Sequence, residues 1–186
     1  MESILKAVET LKKGGLILYP TDTIWGIGCD ATNEKAVEKV YALKKRADSK
    51  ALVLLASDLD MVARYIKEIP QMAIQLVEVN DAPMTVIYPG AMGLAHNAIA
   101  EDGTVGMRIP LQGACIELVR RLGRPLVSTS ANISGEPSPK CFEEISQEIK
   151  DGVDYIVDPA LDNVPTGKAS QIIKVGLDGE VKIIRA

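Results

Sequence analysis

Apolar positions recur along this chain with two periods, and the changes of period mark out its elements. Ile4, Leu5, Val8 and Leu11 keep helical spacing, and Gly14-Gly15 supplies a stop. Leu16 to Tyr19 is a continuous apolar run of strand length. Three small polar residues, Thr21, Asp22 and Thr23, then interrupt before apolar residues return at Ile24, Trp25 and Ile27. Thr32 or Asn33 can cap the next helix, which carries Ala36, Val37, Val40, Tyr41 and Leu43 and runs into the basic cluster Lys44-Lys45-Arg46. A strand is expected at 51–56. Ser57 with Asp60 has the form of a capping box ahead of a helix over 59–69. Pro70 breaks that helix, and another runs to about Asn80.

Strands are expected at 84–89, 104–110 and 125–132, with a helix over 112–122 between the last two. The loop "SGEPSPK" leads to a helix over 141–150. Three short strands, "DYIVD", "SQIIKV" and "EVKIIRA", close the chain. Strands and helices interleave without an interdomain linker or an internal repeat. The expected architecture is one α/β domain over 1–186 with a mixed sheet.

Composition narrows the picture. The chain has 186 residues, enough for one good-sized core. No apolar run approaches the ~20 residues that cross a bilayer. The charged, periodic opening stretch does not read as a secretory leader, so a cytoplasmic location is the expectation. Cys29, Cys115 and Cys141 lie far apart, which suggests neither a disulfide framework nor a zinc site. A net charge of −4 makes the chain no polycation, so any RNA contact needs a local basic patch.

Several strand ends carry small polar groups or a cation: Pro20-Thr21, Arg108, and Ser128 to Asn132. Ligands of open α/β sheets bind at such ends. Each run has a plainer reading. Ser128 to Asn132 is equally a turn of self-satisfied hydroxyls, Lys44-Lys45-Arg46 a solvated helix end favoured by the helix dipole, and Trp25 a core residue. The chain's one histidine, His96, is expected on the surface. With a single histidine, no Ser-His-Asp set or multi-histidine metal site can be built. Neither G-x-x-x-x-G-K-[ST] nor G-x-G-x-x-G occurs, so a bound nucleotide would need separate cations and hydroxyls for its phosphates.

In order along the chain, "YPTDTIWGIGCDA", "KKR", "APMTVIYPG", "TVGMRIP", "STSANISGEPSP" and "SQII...IIRA" resemble the motifs of the YrdC-like threonylcarbamoyl-AMP synthases. The resemblance runs from about Leu16 to Arg185 and matches the short, single-domain form. It implies a twisted mixed sheet with flanking helices and one large concave, positively charged cavity. It implies that L-threonine, bicarbonate and ATP are joined into threonylcarbamoyl-AMP with release of pyrophosphate. Partner proteins then pass the threonylcarbamoyl group to an adenosine of tRNA. By position, Lys44, Arg46, Lys50, Asn132 and Arg185 match groups around ATP. Thr21, Arg108, Ser130 and Ser170 match groups around threonine, with Thr23 a weaker candidate. No residue is assigned as catalytic or as a metal ligand, and Mg²⁺ is expected to arrive on the phosphates.

Departures from the family pattern fall at Ala47, where proline is usual, at Ala82, where glycine is usual, and at Gln171, where threonine is usual and the substrate pocket could change. Two other readings remain. A non-catalytic RNA-binding module conflicts with an aromatic content of 4%, poor material for stacking bases. A carbamoyl-transfer domain of hydrogenase maturation is expected within a much longer, cysteine-rich chain.

Overall fold

In the computed structural model, which describes residues 1–46, 52–162 and 165–186, the strands form one mixed sheet. They are β1 (Ile17–Tyr19), β2 (Gly26–Gly28), β3 (Val53–Leu55), β4 (Met84–Tyr88), β5 (Val105–Arg108), β6 (Leu126–Ser130), β7 (Tyr155–Ile156), β8 (Gln171–Val175) and β9 (Val181–Arg185). Their spatial order is β7-β1-β2-β6-β3-β5-β4-β8-β9. β3 pairs with β5 in parallel and with β6 antiparallel. Consequently the ends of β5 and β6 point opposite ways, although each closes on a residue singled out from the sequence, Arg108 and Ser130.

The helices are α1 (Glu2–Lys12), α2 (Glu34–Lys44), α3 (Leu59–Tyr65), α4 (Gln71–Glu78), α5 (Ala114–Leu122) and α6 (Gln147–Gly152). Their apolar stripes face the sheet or one another, and α1 packs on α5 through Ile4, Ala7, Val8 and Leu11. Gly14 takes φ 77°, a left-handed turn that suits glycine and ends α1 as its sequence position implies. Asn33, not Thr32, caps α2, its Oδ1 accepting the Ala36 N–H at 3.1 Å.

Two expected helices change form. Asp58 caps α3 by accepting the Met61 N–H at 2.8 Å, and Ser57 instead donates to the Asp58 carboxylate at 2.7 Å. No box with Asp60 is needed once Asp58 fills the cap. α3 then stops at Tyr65, because Ile66 turns extended and bridges to Ala91. The segment 141–150 is divided: Phe142–Glu144 forms a 3₁₀ turn, and Ser146 caps a separate α6 through the Ile149 N–H at 3.4 Å. The extended backbone of Ile145 separates the two.

β1 and β2 form an antiparallel hairpin in which Tyr19 faces Gly26 and Ile17 faces Gly28. Tyr19 is fully buried and donates its hydroxyl to the Val127 carbonyl at 3.2 Å, two strands away. The ring reaches that carbonyl only because β2 has no side chain at Gly28. A Cβ there would lie 2.7 Å from the Tyr19 ring and 2.9 Å from the Val127 oxygen. The three cysteines are free, with Cys29 and Cys115 buried. His96 is exposed beside Glu34, 3.1 Å away. No helix among the described residues is long and apolar enough to cross a membrane.

Replacing Gly28 with alanine must displace either the Tyr19 ring or backbone, so it should lower stability by roughly 1–3 kcal/mol. Urea unfolding should show this as an earlier midpoint with an unchanged slope.

Candidate functional site

The connection between β1 and β2 explains the polar interruption in the sequence. Thr21, Asp22 and Thr23 are all buried. Thr21 Oγ1 donates to the Ile24 carbonyl at 2.7 Å and accepts the Thr23 N–H at 3.0 Å. It also lies 2.9 Å from Thr23 Oγ1. Because Thr21 has one hydroxyl proton and gives it to Ile24, Thr23 must be the donor in that pair. The lone pairs of Thr23 are thereby left facing Arg108, whose Nη2 lies 3.4 Å away. Asp22 binds the other side of Arg108: Oδ1 accepts from Nη1, and Oδ2 accepts the Leu111 N–H at 3.0 Å.

A cavity of about 340 Å³ opens over this group. Its strand-borne lining, Thr129 apart, shares one face of the sheet. Gly26 faces Ser130 in register, Val53 faces Ser128, and Thr85 faces both Arg108 and Ile172. The expected site at strand ends is therefore a site on a sheet face, since β5 and β6 reach it from opposite directions. Its floor is buried: Arg108 is 3% exposed, Thr23 5% and Ser170 7%. Its rim is open, formed by half-buried Arg46 and by exposed Ser138 and Arg185.

Of the residues expected around threonine, Arg108, Ser130 and Ser170 line the cavity. Thr21 lies behind the lining, and Thr23, the weaker candidate, takes its place in the wall. Ser170 Oγ is 2.8 Å from Thr85 Oγ1, which fixes its rotamer. Of the residues expected around ATP, Arg46 and Arg185 line the cavity. Arg185 reaches in from β9 by donating Nε and Nη2 to the Ser170 carbonyl at 3.0 and 2.7 Å. Lys50 lies outside the described residues, as does Ala47.

Lys44 and Asn132 act one layer back. Lys45 adopts φ 51°, ψ 42°, a left-handed turn that ends α2 and directs Lys44 and Arg46 inward while Lys45 stays outside on Glu148, 2.7 Å away. Lys44 is 2% exposed, and its Nζ donates to the carbonyls of Ser130 at 2.5 Å and Asn132 at 2.7 Å. The Asn132 amide donates to the carbonyls of Ile133 and Glu136 at 3.0 and 2.7 Å, closing its own loop. Both side chains shape the 130–136 segment, which presents Ser130 and leads on to Ser138. Burial, with Arg46 adding, pushes the Lys44 ammonium down to about 8. Burial likewise pulls Arg46 below its ordinary value.

The sequence had given Asp22 no role, although its place in Thr-Asp-Thr was a usable signal. Ser138 was visible only as a member of a Gly/Pro/Ser loop. Gln171 is exposed and absent from the lining, while its neighbours Ser170 and Ile172 line the cavity, so strand alternation takes this departure away from the pocket. Trp25, the single tryptophan, is 1% exposed and also touches the cavity. Its Nε1 donates to Asp162 at 2.7 Å and its ring leans on Phe142, centroids 5.0 Å apart.

The Sua5/YciO/YrdC family model, described as telomere recombination, matches residues 9–186. The chain belongs to the Sua5/YciO/YrdC family. It is 32% identical over 161 residues to the threonylcarbamoyl-AMP synthase of Idiomarina loihiensis, covering 85% of this chain and 87% of that protein. It is 36% identical over 155 residues to the threonylcarbamoyl-AMP synthase of Stenotrophomonas maltophilia, covering 82% and 83%. Among solved structures, P. abyssi Sua5 complexed with L-threonine matches with a TM-score of 0.84 at 26% identity, over 92% of this chain. This Sua5/YciO/YrdC chain spans half the length of that Sua5, 50%.

Lys44 has a signature in pH. The folded chain releases its proton near pH 8, whereas an unfolded lysine holds it to about 10.4. Between those values the unfolded state binds more protons, so this group makes stability rise with pH. The stability of the wild type relative to Lys44→Met should therefore increase from pH 8 to pH 10. A difference that stays flat or falls across that window in urea unfolding would show that Lys44 titrates normally.

Proposed function

We propose that this chain is a threonylcarbamoyl-AMP synthase that joins L-threonine, bicarbonate and ATP and releases pyrophosphate. The observation that carries the reading is a buried arginine–hydroxyl floor beneath an arginine rim, in a chain whose relatives of similar length are named for this product. The floor suits the carboxylate and hydroxyl of a small amino acid. A guanidinium fork suits a carboxylate, and Ser170 and Thr23 offer hydroxyls nearby. The rim suits phosphates, with Arg46 and Arg185 as cations and Ser138 as a donor. On this reading the cavity as a whole is basic.

In the reaction, the threonine amine attacks the carbon of bicarbonate, water leaves, and a carbamate forms. A carbamate oxygen then attacks the α-phosphorus of ATP, and pyrophosphate departs. No side chain must take a lasting covalent role. The chain orients two substrates and meets developing charge on phosphate oxygens with cations, which accounts for much of such a rate. Ser130 sits between floor and rim, where the carbamate meets the phosphate.

Mg²⁺ is expected with the triphosphate. The cavity lining carries hydroxyls and guanidinium groups rather than carboxylates, and among the described residues no cluster of His, Cys, Asp or Glu could hold a metal ion. The hydroxyls of Ser130 and Ser138 fit a cation held chiefly by phosphate oxygens and water. When bound, it would neutralise charge on the leaving pyrophosphate. The product would then pass to partner proteins that modify tRNA in the cytoplasm. Trp25 is the one aromatic residue of the described lining, which makes the cavity a poor place to stack bases.

The protein incubated with ATP, Mg²⁺, L-threonine and bicarbonate should yield threonylcarbamoyl-AMP by mass spectrometry, with equimolar pyrophosphate. Pyrophosphate release indifferent to threonine or to bicarbonate depletion would leave only an ATPase. Arg46→Ala and Arg185→Ala should each weaken ATP binding by roughly 1.5–3 kcal/mol, the worth of a charged hydrogen bond. Calorimetry measures both affinities, and unchanged ATP affinity in both variants would remove the phosphates from the rim.

Arg108→Lys should raise the threonine KM strongly, because a point charge cannot reproduce a two-pronged contact. Serine lacks the methyl group and should be disfavoured by about 1–3 kcal/mol in kcat/KM. Equal kcat/KM for the two amino acids would contradict a fitted floor.

A further inference from the structure

We propose that Asp22 sorts the two substrates: it holds Arg108 and cancels its charge, so that the floor accepts the carboxylate of a zwitterion and refuses phosphate. This rests on reading the floor as the amino-acid site. Both carboxylate oxygens of Asp22 are occupied, one by Arg108 Nη1 and one by the Leu111 N–H at 3.0 Å. Asp22 is 1% exposed and Arg108 3%, so water does little to screen the pair. With Nη1 on Asp22 and Nη2 turned to Thr23, the guanidinium plane is fixed from two sides before any ligand arrives.

The pair is also nearly neutral. A lone buried guanidinium would attract a doubly charged phosphate more strongly than a singly charged carboxylate. Paired with Asp22, it can still donate hydrogen bonds, but a phosphate would carry uncompensated charge into a dry floor. An amino acid brings its own cation alongside its carboxylate and avoids that cost. Arg185 differs: its donors go to the Ser170 carbonyl, a neutral group, so its positive charge remains available to a phosphate at the rim. One cavity thus offers a neutral donor below and a net cation above. The peptide of this same loop also anchors the segment that leads to Ala169 and Ser170 of the lining, with Asp22 O accepting the Thr166 N–H and Thr23 O the Gly167 N–H, each at 3.0 Å.

Asp22→Asn tests this with inorganic phosphate as the probe. In the wild type, phosphate should compete with ATP and leave the threonine KM untouched. In Asp22→Asn, the threonine KM should rise about tenfold or more, as expected for loss of a charged hydrogen bond. Phosphate should then become competitive with threonine, while the ATP KM stays within a factor of about three. The added sensitivity should vanish in Asp22→Asn/Arg108→Ala, because it needs the uncancelled guanidinium. A merely structural role for Asp22 would instead lower kcat and raise both KM values together, without new phosphate competition, and would overturn the proposal.

Arg108→Ala alone separates this idea from the reading beneath it. An unchanged threonine KM in that variant would remove threonine from the floor, and both ideas fall. A raised KM there, with none of the Asp22→Asn effects, sinks the sorting role alone. If Asp22→Asn does not fold, the ligand-free wild type still decides. In ¹⁵N-arginine-labelled protein the Nη signals of Arg108 should be separately resolved and unmoved by millimolar phosphate, while those of Arg185 shift. Averaged Arg108 signals, or a phosphate-induced shift there, would overturn the proposal.

Discussion

The ion pair between Asp22 and Arg108 is the contact on which the rest of the site depends. Burying two charges costs several kcal/mol each, and mutual attraction offsets this only when the remaining donors and acceptors are also satisfied. Here they are: Leu111 N–H takes the second oxygen of Asp22, and Thr23 turns its lone pairs to the guanidinium. An apolar pair of the same volume would serve stability about as well. What it would not do is tie the β1–β2 connection to the end of β5. That tie brings Thr23 and Arg108 onto one floor although they are 85 residues apart.

Charge in the cavity is graded by depth. At the floor, Arg108 is paired and buried. One layer behind the wall, Lys44 spends its ammonium on the carbonyls of Ser130 and Asn132 and so holds the segment that carries the hydroxyls. At the rim, Arg46 and Arg185 are the outermost cations of the lining. Basic residues of similar appearance in the sequence therefore do different work. Their burial and partners decide which one positions backbone and which meets a ligand.

Much of the fold was legible in the sequence. The period of Ile4, Val8 and Leu11, the apolar runs at Leu16 and Met84, and the Asn33 cap are local signals, and local physics decided them. The misplaced details were decided at longer range. Ser57 and Asp58 are both competent caps, and the backbone at Asp58 selected between them. Phe142 packs its ring on Trp25, and the chain breaks at Ile145 between that contact and α6. The family motifs pointed to segments that meet at the cavity. They could not say which threonine of Thr-Asp-Thr faces the cavity, because that follows from a proton: Thr21 gives its hydrogen to Ile24 and turns inward to its own loop. Nor could they show that Lys44 lies behind the wall, since that follows from one left-handed residue, Lys45. Asp22 was hidden because its partner comes from a distant strand.

The distribution of stability follows the same division. The floor's Arg108 ends β5, an interior strand covered on both edges by β3 and β4, and Asp22 ties the Thr23 loop to it. Arg185 comes from β9, an edge strand exposed along its whole length and paired with β8 alone. Elements with few buried contacts open at low free energy, and interior strands open only near global unfolding. The rim can therefore loosen while the floor keeps its shape. A small amino acid needs a preformed pocket, because a single methyl must be recognised and each misplaced donor weakens that recognition. In the proposed reaction a triphosphate, large and charged, would enter and then leave as pyrophosphate past the rim. A rim cation on this exposed edge strand leaves Arg185 free to move, and the Ser170 carbonyl that Arg185 binds keeps this movement referenced to the floor.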